Sequence, residues 1–130
     1  MKSFDEVLQG FREIEFAEKF DMIVAIANGG IIPAAILNQR LDTDVFLLKI
    51  NLRDKLQNPK YDRPQLLSPI DFAYHDKSIL IVEDRVKTGA SLRFAQSLLQ
   101  GAKLIKTFAV NGNADYSLYN EDCFRFPWLI

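Results

Sequence analysis

The chain is poor in the residues on which many protein chemistries depend. It holds one cysteine, one histidine and one tryptophan among 130 residues. Cys123, being alone, excludes an internal disulfide framework and suits a reducing compartment. His75 has no catalytic partner near it in sequence and reads as a surface or strand-entry residue. Sixteen basic residues face seventeen acidic ones, for a net charge of −1. No electrostatic footprint therefore points to nucleic acid or to an anionic membrane, and any binding of phosphate has to be local. No apolar run is long enough to span a bilayer, and no secretory signal pattern is present, so the expected location is cytoplasmic. Neither G-x-x-x-x-G-K-[ST] nor G-x-G-x-x-G occurs, which removes two common phosphate-binding fingerprints. Internal repeats and low-complexity tracts are absent too.

What is present is the composition of one globular domain, 48% hydrophobic and 25% charged. Its most informative stretch is Ile79-Leu80-Ile81-Val82-Glu83-Asp84-Arg85-Val86-Lys87-Thr88-Gly89-Ala90-Ser91-Leu92. Four apolar residues with no polar alternation predict a strand buried on both faces, the kind found in parallel sheets. Glu83 and Asp84 end that strand, Gly89 permits a tight turn, and Leu92, Ala95 and Leu99 share one face of a following helix with Gly101 as its stop signal. A loop between a parallel strand and a helix offers unpaired N–H groups and the positive end of a helix dipole to an anion. Thr88 and Ser91 add hydroxyl donors. The two carboxylates have the wrong sign for phosphate; they suit sugar hydroxyls, or a metal accompanying a polyphosphate. A sugar phosphate satisfies both halves.

The same unit occurs earlier. Met22-Ile23-Val24-Ala25-Ile26-Ala27 predicts a second buried strand, running into Asn28-Gly29-Gly30 and then a helix opened by Ile31-Ile32-Pro33 and continued by Ile36, Leu37 and Leu41. Paired glycines there serve either a plain tight turn or an anion-binding loop. Ser3 and Glu6 form a capping-box pattern ahead of Phe4, Val7, Leu8, Phe11 and Ile14, which predicts a first helix. Phe16 and Phe20 lie off that stripe and are expected in the core. Further strands are expected at Asp44 to Ile50, at Leu104 to Val110 before an Asn111-Gly112-Asn113 turn, and in the aromatic ending Phe124 to Ile130. Between Asn51 and about Asp76 the chain is polar and broken by Pro59, Pro64 and Pro69, with Arg53, Lys55, Lys60 and Arg63 concentrated in it. A long irregular segment of this kind reads as a functional lid or a solvated basic loop.

The stretch from Ile79 to Leu92 resembles the phosphoribosyl-diphosphate (PRPP) motif of the type I phosphoribosyltransferases, closest in pattern to the xanthine–guanine and hypoxanthine members. The resemblance covers the chain from Met22 onward. It implies an α/β fold: a single three-layer domain, residues 1–130, with a mainly parallel sheet flanked by helices, an N-terminal helix and a short C-terminal hood. It also implies catalytic roles for Glu83, Asp84 and Lys87. Glu83 and Asp84 would hold the ribose, and through it Mg2+, while Lys87, Thr88, Gly89, Ala90 and Ser91 would wrap the 5′-phosphate. Ala27, Asn28, Gly29 and Gly30 correspond to the pyrophosphate loop. Val110, Phe126 and Trp128 fall where such proteins contact the base. A homodimer acting on PRPP and a nucleobase, with no nucleic acid or membrane partner, is what this family implies.

Three positions depart from the 6-oxopurine pattern. Asn28 stands where an arginine is common, Lys87 where an aspartate acts on the base, and Val110 where a lysine reads the oxo group. Two functions are therefore expected to compete. One is transfer of ribose 5-phosphate from PRPP to a purine with release of pyrophosphate. The other is a catalytically inactive PRPP or nucleotide sensor. Intact Glu83, Asp84, Thr88 and Gly89 serve either, and the first is preferred.

Overall fold

The computed structural model describes residues 2–51 and 64–130. Helix α1 (Phe4–Glu13) opens on Ser3, whose hydroxyl accepts the Glu6 N–H at 3.1 Å, as the capping pattern predicts. Val7 and Phe11 are its buried stripe, whereas Phe4 remains 43% exposed. Strand β1 (Met22–Ala27) is buried at every position, and α2 (Ile31–Leu41) follows it. The remaining elements are β2 (Asp44–Asn51), β3 (Gln65–Leu66), β4 (Ser78–Arg85), α3 (Ala90–Leu98), β5 (Leu104–Asn111) and β6 (Tyr116–Tyr119).

The strands form one sheet in the order β3-β2-β1-β4-β5-β6, parallel except for β3, which pairs antiparallel with β2. β1 and β4 lie at the centre, and their side chains alternate between two apolar layers, which is why both strands read as unbroken apolar runs. Ile23, Ala25, Leu80 and Val82 face a layer completed by Val7 and Phe11 of α1 and by Ala34 and Leu37 of α2. Met22, Val24, Ile26, Ile79 and Ile81 face the opposite layer, closed by Leu92, Ala95 and Leu99 beside α3. Three layers result, as expected. Phe20 is buried, and Phe16 meets its edge at a ring separation of 5.9 Å, so both phenylalanines beyond the first helix belong to the core.

Three details differ from the sequence expectation. Strand β4 does not end at the acids: Glu83 pairs with Ala109, and the ladder runs on to Arg85 opposite Asn111. Part of the proline-punctuated segment is strand β3, while Pro59, Arg53, Lys55, Lys60 and Arg63 lie outside the described residues. The aromatic ending is not a strand; the last strand is β6, upstream of it. Alternating Phe124, Phe126 and Trp128 imitate strand periodicity, but their rings pack against one another, Phe124 edge-on to Phe126 at 5.3 Å and Phe126 stacked on Trp128 at 5.1 Å.

Strand β6 is held by a side-chain device. Parallel neighbours are ordinarily joined by a crossover of a dozen or more residues, whereas here residues 112–115 alone return the chain beside β5. Asp115 secures that return: its carboxylate accepts the Thr107 N–H at 2.9 Å and the Thr107 hydroxyl at 3.0 Å, and the same hydroxyl oxygen accepts the Asp115 N–H at 3.0 Å. Replacing Asp115 by alanine strips the buried Thr107 N–H of its acceptor, at a cost of about 1.5 kcal/mol, which lowers Tm by roughly 5 °C in a domain of this size. Thermal unfolding followed by circular dichroism should show that loss with the helical signal intact.

Candidate functional site

The sheet places the two glycine-bearing loops together. From β1 the chain moves through α2 to β2 on one side, while β4 occupies the other side of β1 and leads through α3 to β5. The crevice between the carboxyl ends of β1 and β4 is therefore the topological switch point, where open α/β sheets bind their ligands. Residues 28–30 form one wall and residues 83–90 the other.

Contact between the walls depends on the glycines. A Cβ on Gly29 would sit 2.6 Å from Asp84 Oδ1 and 2.7 Å from Oδ2, and one on Gly30 would sit 2.3 Å from the Val82 carbonyl oxygen. No side chain fits at Gly30, because its neighbour there is main chain. Asn28 and Gly29 are exposed, and the Ala27–Asn28 peptide is cis. Gly30 caps α2 without a side-chain hydrogen bond; the Ile31 N–H donates to the Asn28 carbonyl at 3.1 Å, the Ala34 N–H donates to the Gly30 carbonyl at 3.0 Å, and Pro33 has no N–H.

On the facing wall, Asp84 Oδ1 accepts the Arg85 N–H at 2.6 Å and Glu83 Oε1 accepts the Asp84 N–H at 3.0 Å. Burial pushes the Glu83 carboxyl well above the usual carboxylate range, and the Asp84 charge beside it pushes the same way. Glu83 therefore keeps its proton to a higher pH than a free glutamate does, and in that form it donates as well as accepts toward a hydroxyl. Gly89 takes a left-handed φ of 83° immediately before α3, Thr88 Oγ1 accepts the Ala90 N–H at 3.2 Å, and Arg93 Nη1 donates to the Thr88 carbonyl at 3.0 Å. Lys87 and Arg93 are exposed cations on a cleft of about 380 Å3 that Thr88 and Gly89 also line, with Asp115 opposite. The loop is held from behind as well: the Val86 N–H donates to the Asn111 carbonyl at 2.9 Å, and Gly112 has no room for a Cβ against the Val86 carbonyl, 2.5 Å away.

The base-contact residues named from sequence fare differently. The Val110 side chain is fully buried in the layer beneath α1 and α2 and offers no surface to a ligand. Phe126 is also fully buried, its ring beneath the Arg85 guanidinium at 4.7 Å and stacked on Trp128, so the expected stacking of a base on Phe126 is corrected. Trp128 is half-buried, edge-on to Phe4 at 6.3 Å. Arg85, Arg93 and Asn111 escaped the sequence reading; the position of Arg93 one helical turn after Gly89 is the only signal that pointed to any of them.

A divalent cation can be tested against these donors. Among the described residues no group of three or more histidine, cysteine, aspartate or glutamate side chains converges on a point. Two adjacent carboxylates on an open crevice do fit Mg2+, which characteristically takes one or two carboxylates and completes its shell with water and substrate phosphate.

The chain is similar to several known proteins. The family model of the phosphoribosyl transferase domain matches residues 5–123. A xanthine-guanine phosphoribosyltransferase of Idiomarina loihiensis is 25% identical over 137 aligned positions, covering 97% of this chain and 84% of that protein. Among solved structures, a purine phosphoribosyltransferase from Pyrococcus horikoshii superposes with a TM-score of 0.79 at 26% identity, over 98% of this chain and 91% of the other. A Neisseria gonorrhoeae protein solved with bound ppGpp superposes with a TM-score of 0.75 at 18% identity, over 98% and 86% of the two chains, a likeness of fold. No helix among the described residues is long and apolar enough to cross a membrane.

The raised Glu83 carboxyl has a consequence for stability. An acid whose folded pKa lies above its unfolded value binds more protons when folded, so stability falls as pH rises from the ordinary value of 4.5 toward the folded one. Glu83→Gln removes that penalty. In a series of melts from pH 4 upward, the variant should lose less stability than the parent as pH rises and should exceed it at neutral pH; parallel curves would show that Glu83 titrates normally.

Proposed function

The chain belongs to the phosphoribosyl transferase domain family, and on that premise we propose that it transfers the ribose 5-phosphate group of PRPP to a ring nitrogen of a purine, releasing pyrophosphate. The observation that carries the reading is the contact between Gly29 and the Asp84 carboxylate across the switch point, which brings a glycine loop and an acid pair to one crevice. In this reading Asp84 and Glu83 hold the ribose hydroxyls, Asp84 as acceptor and Glu83, while it keeps its proton, as donor or acceptor. The N–H groups from Lys87 to Ser91, at the start of α3, take the 5′-phosphate, with Arg93 bracing the loop through the Thr88 carbonyl. The Ala27 to Gly30 loop and the start of α2 take the pyrophosphate.

The bond from the anomeric carbon to the pyrophosphate oxygen breaks, and a bond to the purine nitrogen forms, through a transition state with oxocarbenium character like that of glycoside hydrolysis. Little covalent work falls to side chains. They align acceptor and sugar and exclude water, which otherwise captures the activated carbon. Mg2+, when bound beside Asp84 and the diphosphate, supplies charge neutralisation of the leaving group. In this reading Lys87, exposed on the cleft beside Thr88, pairs with phosphate. Two copies acting as a homodimer in the cytoplasm complete the reading.

Calorimetric titration of the protein with PRPP and Mg2+, followed by a pyrophosphate-release assay with guanine, xanthine, hypoxanthine and adenine, tests the proposal. Binding with release for one base is expected. Binding without release for any base would assign the protein as a sensor instead, and absence of binding would refute both. Asp84→Asn should weaken PRPP by about 10- to 100-fold, the loss of one or two charge-assisted hydrogen bonds; unchanged affinity would take Asp84 out of the site.

A further inference from the structure

We infer that Arg85 is a positioning residue that tethers the C-terminal aromatic segment, and through Phe126 the Trp128 ring, to the end of β4 that bears the acid pair. Arg85 directly follows Asp84, and its own N–H is bound by the Asp84 carboxylate at 2.6 Å. Its side chain leaves the strand for the far end of the chain. Nη2 donates to the Phe124 carbonyl at 2.6 Å, and the guanidinium lies 4.7 Å above the Phe126 ring. Phe126 is stacked on Trp128 with the ring planes 10° apart, so the tether reaches Trp128 through one intervening ring. A charge-assisted hydrogen bond and a cation–π contact act together on three residues of an irregular segment that has no ladder of its own.

Other contacts reach this segment from elsewhere: Trp128 meets the Phe4 ring edge-on at 6.3 Å, Phe124 meets the Tyr119 ring edge-on at 5.3 Å, and Lys2 Nζ lies 5.1 Å over Phe124, none of them from the strand bearing the acid pair. Asn111 Nδ2 donates to the Glu121 carbonyl at 3.2 Å, and its Oδ1 accepts the Glu121 N–H at 3.0 Å, which anchors the chain three residues before Phe124. Beyond that point, Arg85 is the charged side chain that joins the segment to the strand bearing the acid pair. Arg85 Nε is buried without a hydrogen-bond partner, so the guanidinium is committed to the segment at the cost of one unsatisfied donor. A charge held for solubility alone would face water instead. The effect expected on the base rests on the transferase reading; the tether itself does not.

The test exploits the chain's one tryptophan. In the full-length protein, Arg85→Met keeps the length of the side chain and removes both the charge and the fork of donors. Acrylamide quenching of Trp128 emission should rise above that of the parent while far-UV circular dichroism stays native. PRPP affinity with Mg2+ should hold within about twofold, and the KM of the base that the protein turns over should rise roughly tenfold, the loss of one charge-assisted hydrogen bond. Arg85→Lys, which keeps the charge above Phe126 but not the planar fork, should fall between the two. Should Arg85→Met fail to fold, the lysine variant decides by the same quenching measurement. Unchanged quenching in a folded variant, or loss of PRPP affinity in step with the acceptor, overturns the inference. If the parent protein releases no pyrophosphate, the transferase reading fails separately, and quenching alone still decides the tether.

Discussion

The site exists because two strand ends can approach each other without side chains between them. At Gly30 a single Cβ would sit 2.3 Å from the Val82 carbonyl and 2.8 Å from the Ile26 carbonyl, so the start of α2 packs against the backbone of both central strands. Gly29 then meets the Asp84 carboxylate. Everything proposed for the crevice follows from that closeness: acids that suit a sugar and N–H groups that suit phosphate are within reach of one small molecule only when the loops touch.

Charge at the crevice is arranged unusually for a phosphate site. Its centre is acidic, with Glu83 driven toward its neutral form by burial and by Asp84. The cations on the described side, Lys87 and Arg93, stand away from the centre on the cleft beside α3, and the third nearby cation, Arg85, is turned toward the aromatic segment. Asn28 brings no charge to the glycine loop. On the proposed function, the described residues offer a diphosphate main-chain donors and helix N-termini more than side-chain cations.

Much of this was legible in the sequence, for identifiable reasons. β1 and the first half of β4 are buried on both faces, and Met22 to Ala27 and Ile79 to Val82 are the unbroken apolar runs they leave, which need no tertiary information to read. α1 announces itself through the Ser3 cap. The acid pair and both glycine loops were likewise local signals. β6 was invisible because Tyr116-Ser117-Leu118-Tyr119 is short and carries no strand signal stronger than its neighbours; its place is set by the bond between Asp115 and Thr107, eight residues apart and across two strands. The aromatic ending misled in the opposite direction, since ring stacking among Phe124, Phe126 and Trp128 produces alternation without a ladder. Phe126 resembles a base contact in sequence, whereas its burial beneath the Arg85 guanidinium makes it part of the support. Arg85 itself was lost in a motif whose neighbours drew the attention, and its partner lies 39 residues away.

The measurement that tests the switch-point account most directly is an amide NMR titration with PRPP and Mg2+. Glycine amides occupy a sparsely populated part of the spectrum, and the chain has six of them. The account predicts that Gly29, Gly30 and Gly89 shift on binding, while Gly10, packed on Leu118, and Gly101, beside His75, do not. Shifts at Gly10 and Gly101 with Gly29, Gly30 and Gly89 unmoved would contradict it, because the ligand would then bind away from the place where the two loops meet the acid pair.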